Sequence, residues 1–418
     1  MSPSLIIINT FTLLFLPPLL LLAALPGLYR YIKRSRGTFH QRFYLPDAAF
    51  IPGGLWFQAS SVGEVKLAIA LAGGLKDTGL PLYLFAMTPE GRALAKSSGA
   101  FDGVYYAPVD IFFITRSFMK KVRPSLVLLM ELELWPNLIE SASRYSKIVI
   151  VNGRVSDRSF PKYKLIKALT RMMLKKIELI SARTKKDAVR FIALGADPAR
   201  VTVTGNIKYD IAAPSTDTEI SRKDYSVPEG ALLITAGSTH GGEEEAVIDA
   251  ALSLGGDVYC MIAPRHIERV RELERVFKRR EIDSSCFSRD GGFRPGSRFL
   301  IVDRIGLLDG IYGISDICFV GGSLVPHGGQ NFVEAVRRKK AVVVGPHTGN
   351  FSEEFDILKD EIFVVADSAS LAGVFKELSS SKEMRERKAS AAFAKLEMLK
   401  GALRRNTAIL KSGLLNKR

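Results

Sequence analysis

Residues 125–130 read SLVLLM, and residues 131–137, which follow directly, read ELELWPN. The first string is apolar throughout, which is typical of a strand buried on both faces of a parallel sheet. Similar apolar runs alternate with helical patterns along the chain. They predict strands at residues 55–60, 82–87, 126–130, 148–151, 201–204, 232–236, 258–262, 299–302, 317–320 and 342–344. Two such series predict an α/β protein with two doubly wound, Rossmann-like domains.

A polar segment separates the two series. Residues 211–230, IAAPSTDTEISRKDYSVPEG, contain prolines and few large aliphatic side chains, which is typical of a linker. We therefore predict an N-terminal domain at residues 47–210, a linker at 211–230 and a C-terminal domain at 231–418 that ends in closing helices. Two such domains that face each other would form a central cleft at the carboxyl ends of their strands.

The composition fits a globular protein. A length of 418 residues is ample for several domains, and 47% hydrophobic with 24% charged residues exclude a disordered or collagen-like chain. The cysteines are Cys260, Cys286 and Cys318. Three is an odd and small number for this length, which argues against a disulfide framework and for a reducing compartment.

The first segment predicts a membrane anchor. Residues 5–28 are uncharged and mostly apolar, and about 20 apolar residues can span a bilayer as a helix. Basic residues follow within residues 30–42, which predicts that the rest of the chain is cytoplasmic. A secretory signal peptide is the alternative, but a basic start and a small-x-small cleavage site are both missing. We assign residues 1–46 to a single anchor and a basic stretch, and Pro17-Pro18 leaves a bent or in-plane anchor open.

The net charge of +16 indicates an anionic partner, either nucleic acid or an anionic membrane surface. No zinc-finger, RNP-like or basic-zipper pattern occurs, so we expect no nucleic acid partner. Residues 162–176 interleave lysines and arginines with aliphatic residues, as in a helix that lies on lipid headgroups. A solvated helix face packed on a sheet would give the same pattern.

Several enzyme classes lack their motif in this sequence. There is no G-x-G-x-x-G string, no P-loop, no D-x-D string, no H-E-x-x-H and no G-x-S-x-G. Four histidines lie in expected loops of the C-terminal domain, but their scattered spacing does not suggest a metal site: His240, His266, His327 and His347. We therefore expect neither a metal nor a cofactor.

Candidate site residues of the N-terminal domain follow its strands. ASSVGE places Glu64 in the first turn of a helix, where it is either a capping residue or a general base at the sheet edge. In an extended chain, Glu131 and Glu133 point to one face. Two carboxylates at the end of a buried strand are either a structural ion pair or helix cap, or they are functional groups of a site. Lys208, in GNIKYD, is either a surface lysine or a cation for an anionic substrate.

Hydroxyl groups, amides and an arginine follow the strands of the C-terminal domain. GSTHGGEEE, at residues 237–245, suits an anion or a sugar, although its glutamates also suit the helix dipole alone. Arg265, in PRH, is well placed for a phosphate. The candidate contacts to a donor sugar are Ser238, Thr239, Gly322 and Ser323.

The glycine-rich string GGSLVPHGGQNFVE, at residues 321–334, is the most informative. A glycine loop that leads into a helix exposes backbone N–H groups to a phosphate. Glu334 lies one helical turn after Asn331, so a carboxylate for a ribose diol and an amide for a phosphate or base edge share a face. An ordinary glycine turn with a helix cap is the alternative.

Eight strings resemble those of the 3-deoxy-D-manno-octulosonic acid (Kdo) transferases of lipopolysaccharide synthesis, in the same order. They are ASSVGE, ELELWPN, NGRVSDRS, GNIKYD, GSTHGGEEE, PRH, FVGGSLVPHGGQNFVE and GPHTGNF. The resemblance implies an inverting, metal-independent GT-B glycosyltransferase without a cofactor. It would transfer Kdo from CMP-Kdo to a lipid A precursor, lipid IVA, on the cytoplasmic side of the inner membrane.

The resemblance also implies roles for individual residues. Glu64 matches the catalytic base, and Glu131 and Lys208 match positions that support the transition state. The CMP-binding positions are Pro264, Arg265, Ile305, Gly306, Leu307, Asn331, Phe332, Val333 and Glu334. Two residues depart from the family pattern, because Leu307 replaces a frequent acidic residue and Gln330 replaces a common histidine.

Two other functions remain open at this point. One is a membrane-associated GT-B enzyme that uses a different nucleotide sugar. The other is a non-catalytic protein that binds anionic lipids on the same scaffold.

Overall fold

The computed structural model describes residues 38–45, 50–211 and 220–415. The described residues divide into two compact units, one formed by those up to Ile211 and from Leu399 on, the other by those between them, up to Met398. Each unit holds a seven-stranded parallel sheet, which confirms the predicted architecture of two α/β domains with parallel sheets. The predicted anchor at residues 5–28 lies outside the described residues. Within the described ranges, every helix is too short or too polar to cross a bilayer.

The first unit alternates strands and helices. Its strands are β1 (Leu55–Ala59), β2 (Leu82–Ala86), β3 (Gly103–Tyr106), β4 (Leu126–Met130), β5 (Lys147–Gly153), β6 (Leu179–Ala182) and β7 (Val201–Val203). They lie in the order β3-β2-β1-β4-β5-β6-β7. Its helices are α1 (Val62–Leu75), α2 (Pro89–Ser97), α3 (Phe112–Val122), α4 (Pro136–Ala142), α5 (Phe160–Leu165), α6 (Lys167–Leu174) and α7 (Lys185–Leu194). Short 3₁₀ turns cover Phe39–Arg42, Lys76–Thr78, Pro198–Arg200 and Ile207–Tyr209.

The second unit repeats this plan. Its strands are β8 (Leu232–Thr239), β9 (Val258–Pro264), β10 (Ser284–Cys286), β11 (Phe299–Ile301), β12 (Ile317–Val320), β13 (Ala341–Val344) and β14 (Phe363–Val364), in the order β10-β11-β9-β8-β12-β13-β14. Its helices are α8 (Glu243–Ser253), α9 (Val270–Arg279), α10 (Phe287–Asp290), α11 (Leu308–Ile314), α12 (Val333–Arg337), α13 (Ser352–Leu358), α14 (Ser368–Ser380) and α15 (Lys382–Met398). Short 3₁₀ turns cover Arg222–Tyr225, Ile267–Arg269 and Gly349–Phe351.

The apolar strands feed two core layers. Along β4, Val127 and Leu129 belong to one hydrophobic cluster, whereas Leu126 and Leu128 belong to another. All of these side chains are buried. Because successive side chains of a strand point to opposite faces, a strand covered on both sides must be apolar at every position. This confirms the interpretation of SLVLLM.

All ten predicted strands are present, and the described residues contain four further strands that escaped prediction. These are β3, β6, β10 and β14, whose sequences are GVYY, LISA, SSC and FV. They contain two to four residues each, and β3, β10 and β14 lie at sheet edges. An edge strand contacts one neighbour and is less buried, so it needs no continuous apolar run.

The C-terminal residues differ from their predicted place, because the described residues 399–415 belong to the first unit instead of closing the second. Helix α16 (Ala402–Ile409) packs against α1 and continues into a π-helical segment, Leu410–Leu415. The carboxylate of Asp210 accepts the N–H groups of Gly401 at 2.5 Å and Leu403 at 2.8 Å. These bonds fix the start of α16 on the first unit.

The described part of the predicted linker is folded into the second unit. Residues 212–219 lie outside the described residues, but residues 220–230 belong to the second unit. There, Arg222 forms an ion pair with Asp316 at 2.7 Å and donates to the carbonyl of Ala231 at 2.9 Å. Tyr225 is buried, with its ring 5.3 Å from that of Phe287. Polar composition therefore misled the boundary prediction, because a few anchoring contacts suffice to fold such a segment.

Candidate active site

The carboxylates of the first unit meet at the reversal of its strand order. The chain builds the sheet outward from β1 through β2 to β3, and then returns to place β4 on the other side of β1. The loops after β1 and β4 therefore diverge and leave a crevice at the carboxyl edge, which is where open α/β sheets bind ligands. Glu64 follows β1, and Glu131 and Glu133 follow β4.

Two serines hold the Glu64 carboxylate. Ser61 caps α1, since its Oγ accepts the N–H of Glu64 at 3.2 Å, and its hydroxyl donates to Oε1 at 3.0 Å. The N–H of Ser60 donates to Oε2 at 2.6 Å. The capping residue is thus Ser61, and the Glu64 side chain folds back over the end of β1. Its carboxylate is thereby held at the end of β1.

Glu64 is poised to exchange a proton near neutral pH. Burial, followed by the nearby charges of Glu133 and Glu131, raises the pKa of Glu64 to about 7, against the lowering effect of the bonds from Ser60 and Ser61. A general base is most effective when its pKa lies close to the working pH. The three glutamates therefore form one electrostatic group.

Glu133 is the buried member of this group. Its carboxylate accepts hydrogen bonds from the hydroxyl of Ser60 and from the indole Nε1 of Trp135, the latter at 2.8 Å. Burial raises the pKa of Glu133, although these bonds oppose the shift. Ser60 thus contacts both Glu64 and Glu133 and couples the ends of β1 and β4.

Glu131 takes a conformation that the sequence did not predict. Its φ is +55°, in the left-handed region. The chain is therefore not extended there, although the prediction that Glu131 and Glu133 share a face assumed an extended chain. Its N–H still donates to the carbonyl of Val151 at 2.9 Å, and its carboxylate lies 3.7 Å from the guanidinium of Arg183. Arg183 follows β6, one of the strands that escaped prediction, and its role was missed for that reason.

Lys208 lies in a turn after β7 that a residue of β5 holds in place. The side-chain oxygen of Asn206 accepts the N–H of Lys208 at 3.1 Å, and that of Asn152 accepts the N–H of Ile207 at 2.9 Å. Asn152, with φ +58°, is buried, and its Nδ2 has no hydrogen-bond partner among the described residues. Lys208 itself is exposed. The segments NGRVSDRS and GNIKYD are therefore joined by a hydrogen bond from Ile207 to Asn152.

The second unit has a similar reversal between β8 and β12, but there a carboxylate fills the glycine loop. The buried Glu243 accepts the N–H groups of Gly322 at 2.7 Å, Ser323 at 3.1 Å and Leu324 at 2.9 Å, and that of His240 at 2.8 Å. The N–H groups that we expected to meet a phosphate are thus already bonded within the protein at residues 322–324. The glycine loop is anchored to the start of α8.

Three of the four candidate donor-sugar residues have internal partners. The hydroxyl of the buried Thr239 donates to Glu244 at 3.0 Å. The hydroxyl of Ser323 donates to Val320 and accepts the N–H of Gly345 at 2.8 Å. With the N–H of Gly322 donated to Glu243, these groups support the loops. Ser238 differs, since it is half-buried and has a φ of +54°.

The predicted CMP-binding positions before α12 differ in exposure. Pro264 ends β9, and the exposed Arg265 follows it with its N–H bonded to the carbonyl of Thr239 at 2.9 Å. Ile305 is 84% exposed, and Gly306 has a φ of +90°. Leu307 precedes α11 and packs against the core, so its side chain serves packing in place of the acidic residue frequent in the family.

Asn331 and Glu334 make the contact that their spacing predicts. The Nδ2 of Asn331 donates to the Glu334 carboxylate at 2.8 Å, while its Oδ1 is buried and has no hydrogen-bond partner among the described residues. Burial raises the pKa of Glu334. Phe332 and Val333, between them, are core residues at 1% and 6% exposure. Their side chains are therefore unavailable to a ligand.

Three of the four histidines lie close together. The imidazole rings of His240 and His327 stack at 4.3 Å between centroids, and the ring of His266 lies 5.8 Å from that of His240. Gln330 lies 3.3 Å from the Nε2 of His240. Burial and the charge of His327 lower the pKa of His240. In the part of the chain that the structure describes, no group of three or more His, Cys, Asp or Glu residues is arranged to hold a metal ion.

Known proteins resemble this chain in sequence and in fold. Residues 36–211 match the family described as "3-Deoxy-D-manno-octulosonic-acid transferase (kdotransferase)". The 3-deoxy-D-manno-octulosonic acid transferase of Haemophilus influenzae is 35% identical over 395 residues, which cover 90% of this chain and 91% of that protein. The Bordetella pertussis protein of the same name is 31% identical over 72% of each chain.

A solved glycosyltransferase structure from Rickettsia africae ESF-5 aligns with a TM-score of 0.56 and 16% identity, covering 88% of this chain and 100% of that one. This likeness shows the fold, whereas the identity to the curated relatives extends over most of the chain. The chain therefore belongs to the family of 3-deoxy-D-manno-octulosonic acid transferases, and it is a glycosyltransferase.

Proposed function

We propose that this transferase moves Kdo from CMP-Kdo to a phosphorylated lipid A precursor and inverts the configuration at the anomeric carbon. The observation that carries the mechanism is the raised pKa of Glu64, at a carboxylate that two serines orient at the crevice of the first sheet. A base with these properties can take a proton from a sugar hydroxyl at neutral pH.

The reaction needs one proton transfer and one displacement. The carboxylate of Glu64 takes the proton of the acceptor hydroxyl, whose oxygen then forms the new bond to the anomeric carbon of Kdo. The bond from that carbon to the phosphate of CMP breaks, and CMP leaves with the electron pair. Glu131 and Lys208 support the charge that develops during this step, and Arg183, 3.7 Å from Glu131, positions its carboxylate.

We assign the donor to the second unit. Arg265, exposed after β9, meets the phosphate of CMP. Asn331 has a buried Oδ1 without a partner among the described residues, and that oxygen is an acceptor for a donor group of the ligand. Glu334 contributes a carboxylate for the ribose diol. Backbone groups of residues 264, 305–307 and 331–333 complete this part of the proposal.

We further propose that the protein works at the cytoplasmic face of the inner membrane, where residues 5–28 anchor it. Two features of the first unit support an anionic membrane surface as partner. Leu165, between the lysines of α5 and α6, is 88% exposed. A basic cavity of about 700 Å³ lies beside α6 and is lined by Lys167, Arg171, Lys175 and Arg200, among others.

A product assay tests this function. The purified protein is given the lipid A precursor and CMP-Kdo without added metal and with a chelator, and the products are weighed by mass spectrometry. We expect a mass increase of one or more Kdo units, and a loss of about 100-fold or more for Glu64→Gln. Near-normal turnover of a folded Glu64→Gln variant would refute the assignment of the base. Folded protein that binds UDP in preference to CMP would refute the proposed donor.

A further inference from the structure

A second cavity of the first unit lies away from the glutamate cluster. It has a volume of about 260 Å³ and lies where the segment 38–45 packs beside β3. Its polar lining consists of Arg92 and Lys96 from α2, Tyr105 and Tyr106 from β3, and Gln41. None of its lining residues is acidic. The cavity therefore presents two cations and an amide without a compensating carboxylate.

The Arg92 guanidinium packs against an aromatic ring, and among the described residues its buried Nε has no hydrogen-bond partner. It lies over the ring of Tyr106, 4.7 Å from the centroid, and Arg42 lies over the same ring at the same distance. Arg42 uses its donors on the carbonyls of Met87 and of Ala107, the latter at 3.3 Å. By contrast, the Nε of Arg92 is buried and has no hydrogen-bond partner in the described ranges. A buried donor of this kind is costly unless a ligand satisfies it.

The cavity lies at the same sheet edge as Glu64. Tyr106 is the last residue of β3, and Arg42 bonds to carbonyls directly after β2 and β3. Glu64 follows β1, which is two strands from β3 in the sheet. Neighbouring strands lie about 4.8 Å apart, so the ends of β1 and β3 are about 10 Å apart across the sheet. A sugar-containing ligand is long enough to extend from one strand end to the other.

We propose that this cavity binds a phosphorylated sugar unit of the acceptor, with its phosphate ester on Arg92 and Lys96. Guanidinium groups bind phosphate through paired N–H donors, and the half-buried Tyr105 supplies an aromatic surface for a sugar ring. The inference rests on the proposed function, since that function supplies a phosphorylated acceptor. The cavity then holds the acceptor at its phosphate while the reacting hydroxyl lies at Glu64.

Equilibrium binding of the acceptor without any donor tests this inference separately from the reaction. The full-length protein in detergent micelles is titrated with the lipid A precursor, either intact or treated with phosphatase. We expect Arg92→Ala to weaken binding of the intact precursor by about 10-fold, Lys96→Ala to act in the same direction, and Arg92→Lys to fall between wild type and Arg92→Ala. The phosphatase-treated precursor should bind wild type and Arg92→Ala equally. Removing the phosphate and removing the Arg92 side chain abolish the same interaction, so the second change has no further effect.

Two controls keep the outcome clear. Arg404→Ala removes an exposed arginine of the same unit that does not line the cavity, and it should bind the precursor like wild type. Vesicles of phosphatidylcholine with about 30 mol% phosphatidylglycerol present a phosphate diester without the sugar. If Arg92→Ala weakens binding to these vesicles but not to the precursor, the cavity binds bulk phospholipid and the inference is wrong.

Equal weakening of the intact and treated precursors would also overturn it, because Arg92 would then act through the structure alone. These outcomes are independent of catalysis. A wild-type protein that binds the intact precursor through Arg92 but transfers no Kdo would contradict the proposed function and leave this site in place.

Discussion

At the scale of single residues, the reaction should follow the ionisation of Glu64. Burial and two neighbouring carboxylates hold its pKa at about 7, and only the ionised form can accept a proton. We therefore predict that kcat/KM rises with pH between 5 and 8, with its midpoint near 7. Glu133→Gln removes a like charge, which lowers the pKa of Glu64, so the midpoint should move to lower pH.

A matched variant completes the pH experiment. Glu178→Gln removes an exposed carboxylate of the same unit that does not contribute to the pKa of Glu64, and its profile should overlay that of wild type. A rate that does not change between pH 5 and 8 would show that Glu64 is not the group that limits the reaction.

The same residue predicts a gain of stability in an inactive variant. The pKa of Glu64 is higher in the folded protein than the ordinary value of 4.5, so the folded state binds the proton more tightly. Stability is therefore lost as pH rises from 4.5 through 7, because the ionised carboxylate is partly buried. Glu64→Gln avoids this loss.

We expect the Tm of Glu64→Gln to exceed that of wild type by roughly 2–4 °C at pH 8. At pH 4.5 and below, where the wild-type carboxyl is largely neutral, the difference should vanish. Calorimetry at both pH values measures this, and a variant that is less stable than wild type at pH 8 would contradict the buried, charged state of Glu64.

At the scale of elements, most strands could be predicted from the sequence, but the groups that bond to and pack against the loops could not. A strand covered on both faces must be apolar at each position, so β4 could be read from SLVLLM alone. The glycine loop shows the opposite case. Its glycines suggested a phosphate site, but a Cβ at Gly321 would lie 2.5 Å from the Cα of Thr239, and one at Gly329 would lie 3.0 Å from the carbonyl oxygen of His347.

Close packing thus accounts for those glycines, and no local pattern could reveal that Glu243, some 80 residues earlier, fills the loop. The candidate base could be predicted because Glu64 follows a recognisable strand. Arg183 could not, because the four residues LISA are too short a run to be recognised as the strand before it. Sequence therefore locates a residue at a sheet edge but does not identify its partners.

The contacts of Glu243 predict that the glycine loop depends on one carboxylate. Glu243→Ala leaves at least three N–H groups without an acceptor, two of them buried, and we expect a loss of about 3 kcal/mol or more in the free energy of unfolding of the second unit. Glu245→Ala, on the same helix, removes an exposed carboxylate 4.0 Å from Arg279 and should cost less than about 0.5 kcal/mol. Denaturant unfolding compares them, and equal losses would contradict the anchoring role.

At the scale of the whole molecule, the first unit depends on the end of the chain. The side chain of the buried Asn406 donates to Thr204 at 3.1 Å and accepts the hydroxyl of Ser181, which ties α16 to β6 and to the residue after β7. We predict that Asn406→Ala lowers the stability of the first unit by about 1–3 kcal/mol, because Ser181 and Thr204 are also buried.

Hydrogen exchange locates this effect. Protection should fall in β6 and β7 and stay unchanged in β8 and β9 of the second unit. Arg404→Ala, on the exposed side of the same helix, should leave both units unchanged. A loss of protection spread evenly over both units would contradict the assignment of the C-terminal residues to the first.

The place of α16 also orders events during synthesis. The ribosome makes residues 50–211 first and the residues of α16 after the whole second unit, so the N-terminal unit is completed last. Until then, Ser181 and Thr204 lack the amide of Asn406, and Asp210 lacks the N–H groups of Gly401 and Leu403. A chain that is cut short by as few as twenty residues, through premature termination or proteolysis, keeps a finished second unit beside an unfinished first one, which quality-control proteases can recognise.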